Sequence, residues 1–75
     1  MYYLIHINRF NVIDLEQYLE SAGIDYGSHP GWVGLFYTKG IRDEDIIMLK
    51  LKFPKIYFFE KDKKWYESRN KNKQG

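Results

Sequence analysis

Apolar residues recur along this chain with two different periods, and the switches between them outline its elements. Tyr2-Tyr3-Leu4-Ile5-His6-Ile7 is a β-branched and aromatic run closed by Asn8-Arg9, which predicts a strand. Both of its faces are largely apolar, so a central place in a sheet is expected rather than an edge. Val12, Leu15, Tyr18, Leu19 and Ala22 then follow helical spacing and predict a helix over 12–22. Asn11 is the expected N-cap, with Asp14 in the first turn where the helix dipole favours a negative charge. Gly23 and Ile24 suit a Schellman ending.

Ile24-Asp25-Tyr26 reads as a short strand, and Gly27-Ser28-His29-Pro30-Gly31 as a turn. The run from Trp32 to Thr38 is expected to be the returning strand of this hairpin. Asp43-Glu44-Asp45 opens a second helix over 43–52, with Lys50 and Lys52 near its end and Pro54 as its stop. Leu49 to Phe53 also alternates like a strand; the acidic start and the proline favour the helix. Lys55 to Glu60 is the fourth strand, and Lys61 to Lys64 a polar turn. Trp65-Tyr66-Glu67 is expected to return as a short fifth strand or to pack across the sheet edge.

The predicted order, β-α-β-β-α-β with a C-terminal extension, is that of an α+β, ferredoxin-like two-layer sandwich. The alternative is a smaller α+β arrangement with 32–38, 56–60 and 65–67 as a meander. Residues 1–68 are read as a single domain and 69–75 as a basic, disordered tail.

With helices on one face of the sheet, the other face is open. If Ile5, Ile7, Val33, Leu35, Ile56 and Phe58 turn to the helices, then Tyr2, Leu4, His6, Trp32, Phe36, Tyr57 and Phe59 form an aromatic platform opposite. A large apolar patch of this kind marks an interaction site. The competing, purely structural expectation is that these rings are core, covered by the segment carrying Trp65 and Tyr66.

Composition narrows the chemistry. The 75 residues include no cysteine and two histidines, His6 and His29. Disulfides and thiolate metal sites are therefore excluded, and no metal or cofactor is expected. A domain this small needs a dense aromatic core or self-association to be stable. No apolar run approaches membrane-spanning length, and no basic segment leads into a signal-like run, so no membrane and a cytoplasmic location are expected.

Charge is split along the chain. Residues 1–60 carry six Lys or Arg against eight Asp or Glu, whereas 61–75 carry six against two. A nucleic-acid binder is more evenly basic. His29, in its exposed loop, lacks a fixed nucleophile, orienting carboxylate and oxyanion site, so no catalytic residues are assigned. The acidic triplet 43–45 is explained by the helix dipole.

The expected function is that of a small non-enzymatic protein-binding module. It would act through the aromatic face and the 27–32 loop, His29 included, on a protein partner or a second copy of the chain. The prevalence of Lys, Asn, Ile, Tyr and Phe points to an A/T-rich genome and suggests a phage-encoded modulator or inhibitor of a host protein. The alternative is a single-stranded nucleic-acid binder. There the rings stack on bases while Lys63, Lys64 and the tail hold phosphates. For that alternative, Gly31-Trp32-Val33-Gly34-Leu35-Phe36-Tyr37 resembles the strand-three motif of RNA-recognition-motif domains in its glycines and aromatics. It lacks that motif's leading basic residue, and its spacing differs by one.

Overall fold

A computed structural model describes residues 2–74, with side chains described as far as residue 68. β1 (Tyr2–His6) is followed by a 3-10 turn at Arg9–Asn11 and α1 (Val12–Ser21). Asn8, not Asn11, does the capping: its Oδ1 accepts from the Phe10 N–H at 2.9 Å, whereas the Asn11 side chain makes no cap bond. The extra turn moves the cap three residues upstream without moving the start of the helix. The far end of α1 closes as expected. Gly23 takes φ +72°, the Ile24 N–H donates to the Leu19 carbonyl, and the Gly23 N–H donates to the Glu20 carbonyl. That is the Schellman pattern.

β2 (Asp25–Ser28), β3 (Leu35–Lys39), α2 (Asp43–Lys52) and β4 (Tyr57–Lys61) follow. The expected strand at 32–38 starts three residues late. Gly34 lies so close to β1 that a Cβ there would run into the Ile7 carbonyl oxygen, and its φ of +90° breaks the extended chain. Trp32 and Val33 consequently belong to the loop. The fifth strand at 65–67 is also corrected, because Trp65, Tyr66 and Glu67 lie in a third helix, α3 (Lys63–Gln74). Asp62 starts it, its Oδ1 accepting from the Trp65 N–H at 2.8 Å, and Lys63 lies 4.0 Å from Glu67 one turn on. The expected tail falls on side chains 69–75, outside those described.

The strands form one four-stranded sheet in the order β2-β3-β1-β4, with each neighbouring pair antiparallel. β1 is central, as its two apolar faces required. This is a small α+β fold. Ile5, Phe36 and Ile56 meet Leu15 and Leu19 of α1 and Leu49 of α2 in a core in which Ile5, Leu15, Leu19 and Leu49 have no exposed surface. Each such side chain contributes roughly 1.5–3 kcal/mol by leaving water.

Asp45 joins the two helices. Its side chain is only 4% exposed, although the acidic triplet gave no hint that one member turns inward. The Tyr18 hydroxyl of α1 donates to its Oδ1 at 3.1 Å, and the Arg42 backbone N–H and side-chain Nε donate to its Oδ2, each at 3.1 Å. Burial pushes this carboxyl up, but the bonds from Arg42 and Tyr18 outweigh it and hold the group below the usual carboxylate range. Asp43 and Glu44 remain exposed at the helix start, as dipole compensation required.

Asp45→Ala should therefore cost about 3 kcal/mol, since it strands the Tyr18 hydroxyl and the N-terminal amide of α2. The folded-state pKa lies below the unfolded one. The contribution is thus present in full above the unfolded value of about 4 and is lost as pH falls through the folded value. Urea midpoints of both proteins between neutral and acid pH check this: the gap between them should be wide at neutral pH and narrow in acid.

Candidate functional site

Strand register decides which side chains face away from α1 and α2. Leu4 pairs with Tyr37 and Phe59, and His6 with Leu35 and Tyr57, so these six share that face. Leu35 and Phe36 thus exchange the faces expected for them. Phe36 is 1% exposed and lies beneath the helices; it is core and not part of the platform. The late start of β3 has a single cause, the Gly34 bend, and beyond it the strand presents Leu35 and Tyr37 where Phe36 was expected.

α3 covers one end of this face. The Tyr37 ring lies across β2 at Gly27, where an added Cβ would come within 2.6 Å of the ring and hydroxyl. A glycine on an edge strand is commonly shielded by an aromatic from the neighbouring strand. On the Tyr37 ring in turn sit Tyr66, with centroids 5.9 Å apart, and Trp65, at 6.4 Å. Tyr66 also meets Tyr2 at 5.5 Å, and the Lys61 ammonium lies 5.7 Å from the Trp65 ring centre. Tyr2 is therefore partly covered. The C-terminal segment does shield rings, as the structural expectation held, but it does so as a helix and at one end only.

The other end stays open. Trp32 reaches in from the loop and meets the His6 ring edge-on at 6.2 Å, and His6 meets Tyr57 at the same distance. Phe59 stands beside Leu4 in the next row. Trp32, Tyr57 and Phe59 are 57%, 59% and 48% exposed, which marks them as surface rings rather than core. The sheet positions of this open half are Leu4, His6, Leu35, Tyr57 and Phe59, none of them Lys or Arg.

The loop that delivers Trp32 is held from within. The His29 N–H donates to the Leu35 carbonyl at 2.9 Å, its carbonyl accepts from the Trp32 N–H at 3.2 Å, and its Nδ1 accepts from the Gly31 N–H at 3.2 Å. His29 thus shapes the loop. Lys63 and Lys64 lie exposed in the first turn of α3, away from the Trp32–His6–Tyr57 row. Among the described residues, no group of three His, Cys, Asp or Glu is placed to hold a metal, and no helix is long and apolar enough to cross a membrane. Comparison with protein-family models, with curated proteins and with solved structures finds no match to this chain.

Gly27→Ala should tilt the Tyr37 ring and loosen α3 while leaving the core under α1 and α2 intact. Amide exchange is expected to quicken throughout 63–68 and to stay slow in β1. Equal acceleration in both would show that α3 and the sheet unfold as one unit.

Proposed function

We propose that this protein is a non-enzymatic protein-binding module that receives an apolar surface of its partner on the open half of the sheet. The observation that carries this is the exposed row Trp32–His6–Tyr57 with Phe59 beside it, on a rigid sheet and next to Leu4 and Leu35. Trp and Tyr dominate binding energy where they fill a partner's pockets. Strand-borne rings lose little freedom when they are covered, which favours affinity. The strand order β2-β3-β1-β4 around a β-α-β-β-α-β chain supports a ferredoxin-like scaffold beneath the site. The absence of cysteine from the sequence is compatible with work in a reducing cytoplasm. A phage-encoded modulator of a host protein fits the size and composition.

Single-stranded nucleic acid is the second reading. It is favoured by Lys61 at the end of β4 and by Lys63 and Lys64 at the start of α3. Stacked bases need cations beside the rings to hold the backbone; the sheet positions of the open half carry none, and Lys61 follows on the same face two residues beyond Phe59.

Trp32→Ala should weaken capture of a partner by about 2 kcal/mol, roughly thirtyfold. Ile13→Ala, an exposed change on α1, should leave it unaltered. Pull-downs with folded variants at several salt concentrations measure this. The opposing result is tight binding of a single-stranded oligonucleotide at low salt that collapses as salt rises, with no salt-resistant protein capture.

A further inference from the structure

The sheet ends at β4, whose only strand neighbour among the described residues is β1. No strand among the described residues pairs with its outer side, which makes that edge a template for another strand. Proteins usually guard such an edge with proline, bulges or charges along its length. Tyr57-Phe58-Phe59-Glu60-Lys61 has no proline or glycine, and its charges are confined to the last two positions. The opposite edge, β2, is shorter and carries Asp25 and Gly27. We propose that β4 pairs antiparallel with β4 of a second copy, centred on Phe59, so that two four-stranded sheets become one of eight strands.

Symmetry restricts the register. A two-fold axis normal to the sheet keeps like faces together, so one residue must face its own copy. Centring on Glu60 would oppose two carboxylates, and like charges directly opposed are destabilising; centring on Phe58 would leave Lys61 beyond the end of the other copy's strand. Centring on Phe59 sets the two Phe59 rings side by side. It also places Tyr57 beside the partner's Lys61, where ammonium and ring attract.

The helix layer agrees with this register. α2 joins the end of β3 to the start of β4, and β1 lies between those two strands, so α2 crosses β1 toward the β4 edge, with Asp43 at its start. Ile47 and Lys50 share a flank of α2 with Asp43 at helical spacing, and Ile47 is 61% exposed. The same axis runs the two α2 helices antiparallel. Asp43 then approaches the other copy's Lys50, Ile47 meets Ile47, and the helix dipoles oppose. Strand edge, rings and helix flank are thus self-complementary under one operation. This pairing does not depend on what occupies the open half.

Light scattering from micromolar to millimolar protein should give twice the 9.1 kDa chain mass. Phe59→Lys, which puts two ammonium groups on the axis, should return it to the single mass with an unchanged circular dichroism spectrum. The chain has no cysteine, so Phe59→Cys gives a clean second readout that survives even if the lysine variant fails to fold. Opposed residues stand about 4.5–5.5 Å apart at Cβ, near disulfide reach. Mild oxidation should therefore join that variant into a covalent dimer much faster than Ile13→Cys. A single mass throughout with no preferential cross-link would overturn the proposal. So would a doubled mass that persists in Phe59→Lys but is lost in Trp32→Ala, which would put the interface on the open face.

Discussion

The Tyr37 ring lies over the backbone of Gly27, and Trp65 and Tyr66 close over that ring. Much of the molecule follows from this stack. A sheet whose two faces are both apolar needs a cover on each, and α1 and α2 supply only one. With no cysteine in the sequence and no metal-holding group among the described residues, side chains of the same chain cover part of the second face. One stack of rings does this and also shields the weak point of β2, a glycine on an edge strand. Having used its two largest C-terminal rings there, α3 leaves the far end of the face uncovered. The open site is therefore a remainder of the folding solution, fixed in position by what α3 covers.

The same logic separates what could be read in the sequence from what could not. The 3.6-residue period, the acidic start of α2 and the Gly23-Ile24 ending are local signals, and the structure follows them closely. The central place of β1 was legible because β1 is apolar on both faces. The face of β3 was not, because it depends on a non-local event, the backbone of Gly34 pressed against Ile7. A one-residue error in phase sends every side chain of a strand to the opposite face, and it moved Phe36 from surface to core. α3 had a local signal after all, Asp62 at a capping position before Lys63 and Lys64. The aromatic pair Trp65-Tyr66 pointed toward a strand. Nothing in a run of three acids reveals which one a tyrosine on another helix will bind, so Asp45 was invisible.

Asp45 also bears on how firmly the site is held. Tyr18, Asp45 and Arg42 tie α1 to the start of α2, and a hydrogen bond of 2.7 Å from the Tyr26 hydroxyl to Glu20 ties β2 to α1. That bond, with burial and the nearby carboxylates, raises the Tyr26 pKa to about 12, so the phenol stays protonated and donating throughout the physiological range. Both ties lie on the helix face, opposite the open rings. Platform rigidity thus comes from the core side and draws on no residue that a partner would touch, so the surface can change without loosening its support.

The two proposed surfaces, the open half-face and the β4 edge, meet at Tyr57 and Phe59. If β4 edges pair, both open halves lie on the same side of one continuous sheet, because an axis normal to the sheet preserves faces. The platform doubles without new folding, and its two halves are held in fixed geometry. A partner offering two apolar segments at that spacing would engage the second from within the complex, where effective concentration replaces bulk concentration. A partner offering one segment would gain nothing from the pairing beyond a stiffer β4. Selectivity would then lie in the partner's spacing as much as in its chemistry. That suits a site built of rings, which by themselves discriminate poorly between apolar surfaces.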